Sequence, residues 1–247
     1  MKRLYLVLFI GMLWFTCCKQ KEVQKINSEL IINESIKVSG GDKINTSTIA
    51  FTFRNKQFRA IRNKDSFQLE RGFKDSINSI KDILSNSGFK RFINDELIVL
   101  PDSIATKYSN LVNSVHYFSV LPYSLNDAAV NKTYLGLIDL KGKTYHKIKV
   151  TFDKDGGGDD FEDVFVYWIN STNYKVDYLA YSFHVNGGGM RFRKAYNERY
   201  IEGIRFVDYD NYKPINNDVL FLELDKLFEK DKLKLLSKIK IENIKVD

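Results

Sequence analysis

The segment Val164-Phe165-Val166-Tyr167-Trp168-Ile169 has no polar break, so as a β-strand it would be apolar on both faces. The segment 176–185 repeats this pattern. An antiparallel sheet with one solvated face instead alternates apolar and polar residues. We therefore expect both faces of this sheet to be covered, or one face to line an apolar cavity. The covering elements that we expect are helices over 23–38 and 103–121.

Two meanders of strands are predicted around this segment, because alternating residues are separated by turns rich in glycine and asparagine. The first covers residues 48–100 and the second covers 134–212, with a last strand over 235–246. A short helix is predicted over 222–228. The predicted order is helix, meander, helix, meander, short helix and strand.

The predicted helix over 103–121 is amphipathic. Its apolar residues recur every three or four positions, which places them on one stripe of the helix. The members of this stripe are Ile104, Tyr108, Leu111, Val115 and Phe118.

The composition is that of a globular protein, with 247 residues of which 44% are hydrophobic and 28% are charged. We expect a single α+β domain over residues 25–247. The net charge is +7, but lysine and arginine alternate with acidic residues instead of clustering. This distribution argues against a nucleic-acid partner. The sequence indicates no cofactor and leaves the oligomeric state open.

The N-terminus reads as a signal peptide over residues 1–17, with a basic start and an apolar segment over 4–15. This apolar segment is shorter than the about 20 residues that a membrane-spanning helix needs. Thr16-Cys17-Cys18 resembles the lipobox of bacterial lipoproteins, and Cys18 fits the lipidated position better than Cys17. An ordinary cleaved signal is the alternative. Residues 18–24 would form a tether.

The lipobox resemblance implies attachment to a membrane through the N-terminal lipid. The residues after Cys18 are Lys-Gln-Lys-Glu, which include neither an aspartate at the second position nor an acidic run. We therefore favour the periplasmic face of the outer membrane over the cell surface. The remaining chain has no cysteine, so the domain must be stable without disulfides.

Several short segments rich in glycine and aromatic residues stand out as motifs. They are Gly40-Gly41-Asp42-Lys43, the segments 114–123, 156–159 and 164–168, and the segments 177–183 and 186–193. Together they resemble an uncharacterised family of Bacteroidetes-type outer-membrane lipoproteins, a domain of unknown function with no agreed activity. The element order also resembles the LolA/LppX group of lipoprotein carriers. That resemblance implies a strongly curved antiparallel β half-barrel covered by one or two helices.

Polar candidates for chemistry are few. Asp153, Asp155 and Asp159 crowd a glycine-rich turn and are weak candidates for cation ligands, although such turns are commonly only solvated. The histidines are His116, His146 and His184, and they lack the spacing of a helical zinc motif. A serine hydrolase elbow, Gly-x-Ser-x-Gly, is also absent from the sequence.

Three functions remain open. The leading hypothesis is a non-enzymatic binder of a lipid, acyl chain or lipoprotein in a helix-covered cavity. The alternatives are an envelope assembly module with a filled core, and a hydrolase that uses the acidic loop or the histidines. The candidate cavity residues for the leading hypothesis are Phe51, Phe53, Tyr108, Leu111, Val115, Phe118, Trp168, Tyr181 and Phe183.

Overall fold

The computed structural model describes residues 27–158, 161–184, 187–216 and 218–247. The predicted signal peptide, the tether, Cys17 and Cys18 lie outside the described residues, and so does Asp159. Within the described part of the chain, no helix has both the length and the apolar character needed to cross a membrane.

The first sheet has seven antiparallel strands, six of which follow one another in the chain. Their spatial order is β14-β1-β2-β3-β4-β5-β6. The strands are β1 (Thr48–Phe53), β2 (Lys56–Asn63), β3 (Ser66–Lys74), β4 (Ser79–Ser85), β5 (Gly88–Ile93), β6 (Glu96–Ile98) and β14 (Glu242–Val246). This is the first predicted meander, completed by a strand from the other end of the domain.

The second sheet is a simple meander of seven antiparallel strands in the order β13-β12-β11-β10-β9-β8-β7. They are β7 (Val130–Leu140), β8 (Lys143–Phe152), β9 (Val164–Asn170), β10 (Val176–Phe183), β11 (Gly189–Ile201), β12 (Ile204–Pro214) and β13 (Leu233–Ile239). Each sheet keeps two edge strands, so neither sheet closes into a barrel.

Four helices accompany the sheets within the described residues. They are α1 (Ser28–Val38), α2 (Gly41–Ile44), α3 (Asp102–Ser119) and α4 (Leu224–Glu229). Asn27 caps α1, because its side chain accepts a hydrogen bond from the backbone N–H of Glu29 at 2.9 Å. One turn of 3-10 helix, Tyr123–Asn126, follows α3. The predicted element order is confirmed as far as α4, while α2 was not predicted.

The predicted single strand over 235–246 is wrong at its centre, where the chain turns a corner. The backbone N–H of Ile241 donates to a carboxylate oxygen of Asp208 at 3.1 Å. Arg199 donates to the Ile241 carbonyl and, at 2.9 Å, to the same carboxylate. This buried anchor splits the segment, so β13 ends the second sheet and β14 joins the first.

The main core lies between the two sheets. Phe51 and Phe58 of the first sheet belong to the same buried cluster as Tyr167 and Ile169 of the second. Ile32 of α1 is also part of this cluster and is fully buried. The α1 helix therefore covers the inner face of the second sheet, as the two-faced β9 sequence predicted.

The outer face of the second sheet is covered by α4 and not by α3, which corrects the expected covering element. Val166 and Trp168 point to this face and pack in a second buried cluster with Phe228 of α4. Asp225 of α4 accepts hydrogen bonds from Trp168 Nε1 at 3.1 Å and from Lys147 Nζ at 2.6 Å. A short helix is thus held by a buried ion pair as well as by apolar contacts.

The Gly40–Lys43 motif attaches the N-terminal helices to the β11–β12 hairpin. Gly40 has φ of +84°, and an added Cβ would lie 2.4 Å from the carbonyl oxygen of Gly203. Lys43 Nζ donates to the carbonyl of Glu202 at 2.7 Å. These contacts give the motif a structural role.

Candidate functional site

The α3 helix packs on the first sheet through a face other than its apolar stripe. Val112, His116 and Ser119 are its buried residues. Val112 packs with Ala60 and Leu69 of the first sheet. These three residues lie about one residue, or 100°, around the helix from the apolar stripe, so the stripe is not the principal buried face of α3.

The α3 stripe (Ile104, Tyr108, Leu111, Val115 and Phe118) remains largely accessible at one end. Leu111 is 45% exposed and Ile104 is 37% exposed. Tyr108 is held in place by Arg91, whose guanidinium lies 3.5 Å from the ring centroid. The helix thus presents apolar side chains to solvent beside a fixed cation.

Four aromatic side chains form a continuous row on the inner face of the second sheet. Phe165 stacks on Tyr181 with ring centroids 5.4 Å apart, and Tyr181 contacts Phe183 at 6.0 Å. Phe152 packs edge-on against Phe165 at 5.7 Å. We name this row (Phe152, Phe165, Tyr181 and Phe183) the aromatic wall. All four side chains are half-buried, so the wall is incompletely covered.

Arg193 joins the aromatic wall to the α3 stripe. Its guanidinium lies 4.9 Å from the ring of Tyr181 and 5.5 Å from the ring of Phe118. It also donates a hydrogen bond to the Tyr181 hydroxyl at 3.0 Å. Phe118 packs edge-on against Phe53 of the first sheet at 5.3 Å. The last turn of α3 therefore contacts both sheets. Arg193 lies where the Phe118 end of the stripe meets the wall, and stripe and wall together make up the candidate surface.

The predicted cavity residues divide into three groups. Tyr108, Leu111, Val115, Phe118, Tyr181 and Phe183 lie on the stripe or the wall, and Phe51 and Phe53 are buried in the core between the sheets. Trp168 is fully buried on the opposite face of the second sheet, so it is separated from the others.

Sequence reasoning missed Phe152, Phe165 and Arg193 of this surface. Alternation along β9 could have placed Phe165 beside Tyr181, because the two residues are direct partners in the β9–β10 register. Nothing in the sequence pattern brings Arg193 to Phe118, because that contact depends on how α3 packs between the sheets.

The three histidines have separate surroundings. His116 is buried on α3 and its Nε2 lies 3.0 Å from the backbone oxygen of Glu70. His146 stacks on Tyr174 and lies 3.2 Å from the Tyr134 hydroxyl, while His184 is exposed. Burial lowers the pKa of both His116 and His146.

The acidic turn is exposed where the structure describes it. Asp153 accepts a hydrogen bond from the Asn131 side chain at 2.7 Å, and Asp155 is exposed. Among the described residues, which exclude Asp159 and Asp160, no group of three or more histidine, aspartate or glutamate side chains could hold a metal ion.

The fold is similar to that of several solved structures. A LolA superfamily protein from Nitrosomonas europaea has a TM-score of 0.48 and 10% identity, covering 89% of this chain and 93% of that one. A domain named for outer membrane lipoprotein sorting, from Vibrio parahaemolyticus, has a TM-score of 0.47 and 8% identity, covering 90% and 94%. The lipoprotein LppX of Mycobacterium tuberculosis has a TM-score of 0.29 and 12% identity, covering 66% and 91%.

None of the curated proteins matches this chain. A family model does match it, over residues 2–243, which is nearly the whole length. The chain belongs to DUF6503, a family of unknown function.

Proposed function

We propose that this protein binds the hydrocarbon chain of a lipid or acylated protein between the α3 stripe and the aromatic wall. The two sheets would then act as an open half-barrel and α3 as its cover. Binding would be driven by removal of apolar surface from water, about 25 cal/mol per Å². No bond is made or broken in this mechanism, and the protein acts as a carrier or receptor.

The observation that carries this proposal is the orientation of α3. The helix is fixed to the first sheet by Val112 and His116, yet Leu111 of its apolar stripe is 45% exposed. Exposed apolar surface next to half-buried aromatic residues is typical of a surface that acquires a partner or ligand. Movement of the Phe118 end away from Arg193 would admit a chain between stripe and wall.

We further propose that the protein works in the cell envelope, tethered through a lipid on Cys18 or Cys17. The support is the short apolar segment that ends at these cysteines, together with the absence of any other cysteine in the chain. A tether of this kind would hold the domain on the periplasmic face of the outer membrane, where acyl chains are available.

A charge on the stripe tests the proposal. The full chain with Cys17 and Cys18 replaced by alanine is titrated with dansylated undecanoic acid, and its bound lipids are identified by mass spectrometry. Leu111→Asp should weaken binding of the dansylated acid about tenfold or more, because it replaces an apolar contact worth about 1.5–3 kcal/mol with a charge. Thr106→Asp, on an exposed part of the same helix, is the matched control. Equal binding by both variants would exclude the site.

A second candidate is an envelope interaction module, favoured by the filled core. Phe51 and Phe53 are each less than 10% exposed, so the space between the sheets is occupied by the protein's own side chains. In that case no lipid would be bound between the stripe and the aromatic wall, and the stripe would instead contact a partner protein. Absence of any co-purifying lipid, with loss of a cross-linked partner in Leu111→Asp, would favour this function.

A further inference from the structure

A separate cavity of roughly 450 Å³ lies on the other side of α3 from the stripe. Its walls come from the ends of β2 and β3, from α3 and from the 3-10 turn Tyr123–Asn126, and Gly156 closes one side. This volume suits a small molecule or a lipid head group.

Arg62 lines this cavity, and none of the residues that the structure describes is its counter-ion. Its guanidinium lies 5.5 Å from the ring centroid of Tyr123, and its Nη1 is buried with no hydrogen-bond partner. Within the described ranges, Arg62 makes no ion pair, and burial lowers its pKa. A buried guanidinium nitrogen that lacks an acceptor is costly, so Nη1 of Arg62 requires an explanation other than stability.

His116 supplies an acceptor to the same cavity. Burial, with a smaller effect from the charge of Arg62, lowers the pKa of His116 to about 4, so the ring is neutral at pH 7. The contact with the Glu70 carbonyl requires the proton on Nε2, which leaves Nδ1 as an acceptor. The His116 side chain is 1% exposed, and its Nδ1 has no partner in the described part of the chain.

The remaining charged groups stand at the rim. Lys64, Asp65 and Asp127 are exposed, although desolvation still raises the pKa of Asp127. The Tyr123 hydroxyl donates to the Asn45 side chain and is therefore already occupied. The interior thus offers one unpaired cation and one neutral acceptor.

We propose that this cavity binds a phosphate group that carries an O–H on itself or on a neighbouring carbon. The phosphate oxygens accept hydrogen bonds from Arg62, and the O–H donates to Nδ1 of His116. The group comes either from a free phosphate ester or from the head group of a lipid. The lipid source rests on the proposed function. A free phosphate ester would bind here whether or not the apolar surface binds an acyl chain, because the cavity and that surface lie on different sides of α3.

The test is calorimetric titration of the full chain in a non-ionic detergent with inorganic phosphate, glycerol 3-phosphate and lysophosphatidylglycerol. We expect saturable binding of at least one of them. Arg62→Gln should weaken that binding by about ten- to hundredfold, because the charged donor is lost. Arg59→Gln removes the same charge from an exposed position on the same strand, and binding should stay within about twofold.

A thermal melt distinguishes loss of the site from loss of the fold. Since Nη1 of Arg62 has no partner, Arg62→Gln should melt at the wild-type temperature or above it. If it melts lower, Arg62→Met, which removes the charge but keeps the apolar stem, takes its place in the titration. Binding of glycerol 3-phosphate identifies a free ester as the source, and binding of the lysolipid alone identifies a head group. Absence of binding to all three, or equal binding by the Arg62 variant, overturns the proposal whatever the result for Leu111→Asp.

Discussion

Asp82→Asn should strongly destabilise the first sheet, because Asp82 is the shared acceptor of two buried arginines. Arg71 donates to it through Nε at 3.0 Å and Nη2 at 2.5 Å. Arg91 donates through Nε at 2.6 Å and Nη2 at 3.0 Å. Asp82 is fully buried, and both arginines are less than 10% exposed. Asparagine preserves the shape but removes the charge and turns N–H donors toward the guanidinium groups.

The size of the effect follows from the burial of this network. Removing one partner of a buried ion pair costs about 3–5 kcal/mol, because the other charge stays buried and unpaired. Here a single substitution leaves two cations, Arg71 and Arg91, without their carboxylate. For a domain of this size each kcal/mol corresponds to about 2–4 °C, so the melting temperature should fall by about 6–20 °C.

Urea denaturation followed by tryptophan fluorescence and circular dichroism measures this loss. Asp95→Asn makes the same chemical change at an exposed turn of the same sheet and should cost less than about 0.5 kcal/mol. A loss below about 1 kcal/mol for Asp82→Asn would show that the network does not stabilise the sheet in this way. Because Tyr108 stacks on Arg91, the variant should also loosen the N-terminal turns of α3.

Three further predictions concern other anchors of the fold. Asp225→Ala should cost about 3–5 kcal/mol by urea denaturation, since it leaves the Lys147 ammonium buried, whereas Lys147→Met with Asp225→Leu should recover most of that loss. The pKa of His116 falls from 6.5 to about 4 on folding, so the free energy of unfolding should decrease by about 3 kcal/mol as pH falls from 6.5 to 4. His116→Gln should make the free energy of unfolding less dependent on pH over this range. Gly40→Ala should cost about 2 kcal/mol or more in the same assay. Gly88→Ala is the control, because φ is also positive there but the surrounding space is open, so it measures backbone strain without the clash with Gly203.

The sequence predicted the existence of α3 but not its buried face. The three-to-four spacing of apolar residues predicted a helix over 103–121, and the observed α3 is Asp102–Ser119. Hydrophobic spacing shows which residues share a stripe, but not which partner that stripe meets. In this protein Val112 packs on Ala60 and Leu69 of the first sheet, and the His116 ring makes T-shaped contacts with Phe51 and Phe58.

The two-faced sequence of β9 was informative because its strand is buried on both sides. Tyr167 and Ile169 lie in the core between the sheets, and Val166 and Trp168 lie under α4. The covering element of the second face could not be deduced, since α4 has only six residues and a weak pattern. Membership of an uncharacterised family was predictable from the glycine and aromatic motifs, and it is confirmed.

The polar cavity was not predictable, because its two central groups are distant in sequence and ordinary in local pattern. Arg62 lies on the same face of β2 as Phe58 and Ala60 but next to a turn, where an arginine is ordinary. His116 reads as a polar interruption beside an apolar stripe. Only the packing of α3 against β2 and β3 brings them to one space.

The pairing of β14 with β1 fixes the order in which the domain can be assembled. Ile49 is the register partner of Val246, and Ala50 is the partner of Lys245. β1 can therefore receive its outer neighbour only when nearly the whole domain is present, and such long-range pairing is slow. Until then β1 is an open edge, on which a strand from another chain could add. In the second sheet every strand pairs with its neighbour in the chain, so its contacts close shorter loops. We therefore expect this sheet to form first and to serve as the template on which the first sheet is completed.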